Sequence, residues 1–277
     1  MTATTERATE RAGERAGARA ALARADVTAA LGTVVDPELD EPITDLGFVR
    51  SVDLGPDGAV EVHLRLPTSF CSPNFAYLMA SDAKDALSAL PGAEEVVVEL
   101  DDHHDSDLIN AGLAADAGYR GTFRHEALDS LDELRATFRR KAHTAAAERA
   151  LTALLRARPG LREEDLGGVV LADLPDDGTT AALRRRRAAL GLPDEPGAPV
   201  LLDDDGRPVP REQVPLRVRR ARSVRVSVDG NAHFCRGLLR TRYPGSGADQ
   251  APRAEGAGPV PVQLLTTRPH DTTEASA

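Results

Sequence analysis

Cys71 is the residue of this chain whose surroundings best suit chemistry. It lies in Pro67-Thr68-Ser69-Phe70-Cys71-Ser72-Pro73, after an alternating apolar segment and before a segment of helical character. A thiol at a helix start meets unpaired backbone N–H groups and the positive end of the dipole. Both favour thiolate, the form that binds metal or attacks an electrophile. The plainer reading is a small buried hydrophobe, the commoner fate of a free cysteine. The second cysteine, Cys235, shares Asn231-Ala232-His233-Phe234-Cys235-Arg236 with His233. Alternate positions on a strand would put both side chains on one face, but a structural metal site normally needs four ligands. Cys71 with His103 or His104 completes such a set only if the two halves of the chain fold together.

Three further groups carry candidate ligands. His103-His104-Asp105 offers borderline and hard metal ligands, although neighbours in a loop do not readily point the same way and a solvated loop is the preferred reading. Asp36, Glu38 and Asp45 form an acidic group near two turns. It reads either as a metal-proximal or partner-facing cluster or, preferably, as capping and turn chemistry. The arginine runs Arg184–Arg187 and Arg217–Arg225 suit contact with an acidic partner or nucleic acid, or else a solvated helix face and the outer face of a strand, which is preferred. Neither a phosphate-binding glycine loop nor a G-x-S-x-G elbow occurs, so ATP-driven chemistry has no support.

The elements that must position these residues follow from periodicity. Ala21 to Leu31 reads as a helix ended by Gly32, and Phe48 to Leu54 as a strand. Gly55-Pro56-Asp57-Gly58 is a hairpin loop. Val60, Val62, Leu64 and Leu66 then alternate with Glu61, His63 and Arg65, as in a strand with one buried face. Pro73 suits the first turn of a helix running to about Leu90, and Glu94 to Leu100 is a further strand. The block is α-β-β-α-β, a short sheet covered by helices on one face. Beyond it, Ser106 to Leu113 reads as a short helix, Gly118 to Thr122 as a loop, and Ala127 to Ala157 as a long helix. Val169 to Leu174, Val200 to Leu202 and the alternating Val214 to Val228 read as strands, Thr180 to Leu190 as a helix, and Phe234 to Leu239 as a final short element. The expected fold class is α+β, with an N-terminal arm at 1–20, a small domain at 21–113, a mixed C-terminal region at 114–243 and a tail at 244–277 that is disordered apart from the apolar run Val260 to Leu265.

The 277 residues are 41% hydrophobic but only 3% aromatic, so the core is built from Val, Leu and Ala. A formal charge of −10 argues against a general nucleic-acid binder, whose affinity comes from neutralising phosphates. No apolar run is long enough for a signal peptide or a membrane span, and two dissimilar cysteines are not a disulfide framework. A cytoplasmic protein is expected.

Asp36-Pro37-Glu38-Leu39, then Ile43-Thr44-Asp45-Leu46-Gly47-Phe48-Val49, the alternating strand, Pro67-Thr68-x-x-Cys71-Ser72 and Leu90-Pro91-Gly92-Ala93 fall in one order and spacing. Together with Ser106-x-x-x-Asn110 they resemble the SufT/PaaD-type iron–sulfur assembly family, to which the eukaryotic cytosolic iron–sulfur targeting factor belongs, over about residues 22–113. The resemblance implies the small α/β fold, a role in assembling or delivering iron–sulfur centres, and Cys71 as the family's reactive cysteine. Asp36, Glu38 and Asp45 fall within its motifs. Ser72 stands where many bacterial relatives have proline, as in the eukaryotic form. Two cysteines cannot supply four thiolates, so any iron or iron–sulfur cluster is expected to be transient, shared between the copies of a homodimer, or completed by histidine or a partner. The expected partners are a client metalloprotein or other assembly proteins. The rival reading is a thiol enzyme in which His63, His103 or His104 serves Cys71 as base; a third is a structural adaptor.

Overall fold

A computed structural model describes residues 22–124, 131–253 and 255. The expected N-terminal arm, the start of the long helix near Ala127 and the apolar run Val260 to Leu265 lie outside the described residues.

The fold is α+β. Helix α1, Arg24–Leu31, buries Val27 and Leu31, one helical turn apart, and stops at Gly32. Strands β1, Val35–Asp36, and β2, Glu41–Pro42, form a small antiparallel pair around the Asp36–Asp40 turn. Strands β3, Val49–Leu54, and β4, Ala59–Arg65, form the expected hairpin, and β5, Glu95–Asp101, lies parallel to β4. The parallel pairing requires a crossover, which helix α2, Pro73–Ser88, supplies. The strand order is β3-β4-β5. Val60, Val62, Leu64, Val98 and Leu100 point inward against Val27, Leu31, Met79, Ala83 and Leu87. The opposite face of the sheet carries Glu61, His63, Glu99 and Asp101.

The hairpin has one position that only glycine fits. Gly58 has φ +84°, and a Cβ there would lie 2.0 Å from the Gly92 carbonyl oxygen.

Helix α3, Ser106–Ala114, follows as expected. Residues 118–122 differ from the expected loop, because they lie in a short helix α4, Gly118–Phe123, anchored by Phe123 against Tyr77 and Tyr119. Helix α5, Leu131–Ala157, is the long helix, and α6, Gly178–Ala189, is started by Asp177, whose carboxylate accepts the N–H groups of Thr179 and Thr180.

The largest correction concerns the C-terminal half. Residues 214–228 are not a strand, and 234–239 are not a separate element. Both belong to one helix, α7, Val214–Arg242, of 29 residues, about 43 Å long at 1.5 Å per residue. The valine alternation is coincidental: Val214, Val218, Ala221, Val228, Ala232 and Leu239 are buried, a helical spacing, while Val226 is half exposed. Residues 169–174 and 200–202 keep only the isolated bridges Val170↔Pro199 and Leu202↔Pro208, with a 3-10 turn at Leu171–Asp173.

Helix α7 joins two cores. Its first half packs Val214 and Val218 against Ala150, Leu154, Leu166 and Leu183 of the helical region. Its second half packs Ala232 and Leu239 into the core of the sheet region. Buried charge fastens it along the way: Glu148 of α5 accepts from Arg222 and Arg225, and Arg149 donates to Asp229 at 2.6 Å. Residues 244–253, expected in a disordered tail, form a 3-10 turn at Ser246–Asp249, and the Ala251 N–H donates to the Asp45 carbonyl at 2.9 Å.

Candidate functional site around Cys71

The segment between β4 and α2 is irregular because Pro67 and Pro73 bracket it and Ser72 is extended, at φ −52° and ψ 126°, before the first turn. Cys71 is half-buried and unpaired. Its sulfur lies 3.4 Å from Thr68 Oγ1, and the Phe70 N–H donates to the same hydroxyl at 3.2 Å. The Ser72 carbonyl starts the helix by accepting from Phe75 and Ala76, while the Ser72 side chain is exposed and caps nothing. Phe70, beside the cysteine, is 79% exposed, the most exposed large hydrophobic side chain described.

The adjacent histidines separate in role. His103 is buried. The Asp105 N–H donates to its Nδ1 at 3.1 Å, which leaves the ring proton on Nε2, and Nε2 donates to the Cys71 carbonyl at 2.9 Å. Both ring nitrogens are thereby engaged with backbone, and His103 holds the cysteine's main chain rather than its thiol. His104 is exposed, stacks 5.6 Å from Phe70, and donates its backbone N–H to the Ser69 carbonyl. His63 stands on the outer face of the sheet between Asp101, at 2.9 Å, and Glu61, at 3.1 Å. The hydrogen bond to Asp101 leads in raising its pKa above the ordinary histidine range. His63, Glu99 and Asp101 form the one group of three metal-ligand types among the described residues, but Arg50 already pairs with Asp101 at 2.7 Å.

The acidic group is split in the same way. Asp36 is buried, and its Oδ1 accepts the N–H groups of Glu38 and Leu39 at 2.9 and 2.8 Å, which closes the turn. Burial pushes its pKa up to about 7 against those two bonds, assisted by the charges of Glu38 and Glu41. Glu38 is exposed and accepts from Asn231 at 3.2 Å. Asp45 contributes mainly its carbonyl, which accepts from Arg236 and Ala251.

Helix α7 brings residues to this site that sequence reasoning missed. Arg242 donates to the Leu66 carbonyl at 3.1 Å and to Ser69 Oγ at 2.8 Å, so it clasps the cysteine loop. Arg236 pairs with buried Glu41. Cys235 lies between these anchors, half-buried against the same core as Cys71. Burial pushes its thiol up to about 12, with Asp36, Cys71 and Glu38 adding to the effect. His233 does not accompany it: two residues apart on a helix is about 200° of rotation, and His233 is exposed. The spacing 231, 235, 239, 242 was the signal available, but the alternating valines upstream hid it.

A cavity of about 510 Å³ lies elsewhere, lined by Pro37, Asp82, Phe138, Arg186 and Arg253 among others. Its charges are largely satisfied internally, by Arg135–Asp82, Arg186–Asp40 and Arg253–Glu41. Cys71 is not part of its lining.

Comparison with known proteins bears on the same region. The profile of the iron–sulfur cluster assembly protein family matches residues 24–100. The iron–sulfur cluster carrier protein of Mycobacterium tuberculosis is 42% identical over 77 residues, which are 28% of this chain and 20% of the carrier. The chain therefore spans about a fifth of the length of such carriers. An uncharacterized protein of Methanocaldococcus jannaschii is 34% identical over 82 residues, covering 30% of this chain and 84% of that protein. The Fe-S protein maturation auxiliary factor YitW of Bacillus subtilis is 32% identical over 77 residues, covering 28% and 74%. No solved structure matches. With the sheet, the crossover helix and the cysteine loop all in place, the chain belongs to the iron–sulfur cluster assembly protein family through its residues 24–100.

Proposed function

We propose that this protein takes part in iron–sulfur cluster assembly as an accessory factor, with the Cys71 thiolate as its contact to iron, a cluster or a client cysteine. The observation that carries this reading is the state of Cys71: half-buried, unpaired, and held by a loop whose backbone is pinned by His103 and Arg242. A pinned loop presents the sulfur in one place, as a transfer point requires. Exposed Phe70 beside it supplies apolar contact for a client. The rival thiol enzyme needs a base on the sulfur, and of its three candidates His103 is bonded to backbone through both nitrogens, His63 is bonded to carboxylates, and His104 is exposed and stacked on Phe70. The cargo is held transiently, because the chain has too few cysteines for a permanent cluster. The helical region beyond the matched residues serves to dock the client.

Anaerobic reconstitution with iron and sulfide, followed by transfer to an apo iron–sulfur acceptor protein, tests this. The wild type is expected to speed activation of the acceptor and Cys71→Ala to lose that gain. Equal activation with wild type, with Cys71→Ala and without the protein would overturn the reading.

A further inference from the structure

We propose that Cys235 is a second thiolate ligand at the Cys71 site, so that one chain offers a two-sulfur seat for iron(II) or for one edge of an iron–sulfur cluster. The proposal rests on the assembly reading of Cys71 and adds a ligand from outside the region that matches the family, 135 residues beyond its end at 100.

The argument starts from the geometry of α7. Residues three and four apart on a helix share one face, so Asn231, Cys235, Leu239 and Arg242 form a stripe. Both ends of that stripe are fixed to the sheet region. Asn231 donates to Glu38, next to the Asp36 turn, at 3.2 Å. Arg242 donates to Ser69 and to the Leu66 carbonyl, on the Cys71 loop. Leu239 between them is wholly buried in the sheet-region core. Cys235 therefore faces the space between the Asp36 turn and the Cys71 loop. It packs on the same core as Cys71 and lies within electrostatic reach of Cys71, Asp36 and Glu38.

The chemistry of that space suits a cation. Cys71 and Cys235 pack on one shared core beside it, and Arg236, the neighbouring cation, is turned away into its pair with Glu41. A half-buried site with soft sulfur ligands favours a thiophilic divalent metal. Binding would release a proton from each thiol to solvent, since the thiolate is the ligand. Two protein sulfurs leave the remaining positions of a tetrahedral iron open to sulfide or to a client's cysteines, which suits transfer rather than storage.

Anaerobic titration of the full chain with cobalt(II), a spectroscopic stand-in for iron(II), reads sulfur ligation as a near-ultraviolet charge-transfer band. The wild type is expected to show the band, Cys235→Ser and Cys71→Ser each about half of it per bound ion, and the double variant none. A full band in Cys235→Ser with none in Cys71→Ser would overturn the second ligand and leave the reading of Cys71 standing. No cobalt band in the wild type, or one unchanged in the double variant, would overturn both. A measurement on the wild type alone guards against a variant that fails to fold: cobalt(II) should slow alkylation of Cys71 and of Cys235 alike, by peptide mass spectrometry. Protection confined to Cys71 would again overturn the proposal.

Discussion

Replacing Asp36 by asparagine should stabilise the metal-free protein, and increasingly so as pH rises. Asp36 is 6% exposed, and its pKa stands at about 7 against an ordinary 3.8. The folded state therefore holds a proton that the unfolded chain releases near pH 4. A group with a raised folded pKa contributes stability that is complete below the unfolded pKa and is lost as pH rises through the folded one. The shift of roughly three units corresponds to about 4 kcal/mol at about 1.4 kcal/mol per unit. Asparagine keeps the oxygen that accepts from the Glu38 and Leu39 N–H groups and stays neutral throughout. Urea denaturation of both proteins from pH 3.5 to 8.5 measures the difference. The variant should match the wild type at the acid end, gain about 1.4 kcal/mol per pH unit between, and level off near 4 kcal/mol above pH 7. A difference that does not change with pH, or one that favours the wild type at alkaline pH, would refute the assignment of a buried, proton-holding Asp36.

His143 should impose the opposite slope. Burial first, then Arg187, Arg217 and Arg186, lower its pKa from 6.5 to about 4, so its contribution is complete above pH 6.5 and is lost as pH falls towards 4, by about 3 kcal/mol in all. His143→Leu should remove that acid sensitivity in the same denaturation series, and an unchanged acid slope would contradict it. Gly58→Ala should lower the melting temperature strongly, at a cost of about 2–4 kcal/mol, because a positive φ combines with a Cβ forced onto the Gly92 carbonyl. A melting temperature equal to wild type would show that the hairpin yields without cost.

Local pattern was enough to find the elements of the sheet region. The alternation of Val60, Val62 and Leu64, the glycine-proline hairpin and the stop at Pro91–Gly92 each act within a few residues, and β3, β4, α2 and β5 appear within one or two residues of where they were expected. The loop around Cys71 was legible too, since Pro67 and Pro73 restrict their own neighbourhoods. Helix α7 was not. Val224, Val226 and Val228 alternate, and local pattern cannot tell a strand from a helix buried on two different sides by two different cores. The site divides along the same line. The position of Cys71, its helix and its histidine neighbours follow from sequence. That His103 grips the backbone rather than the thiol depends on the contact between its loop and the Cys71 loop, and that Cys235 packs on the same core as Cys71 while His233 turns away depends on how α7 crosses the sheet region. That crossing is set by Leu239, Arg236 and Arg242, whose partners lie more than 130 residues away. Contacts at such separation leave no periodic trace in the chain, so only the tertiary structure could decide them.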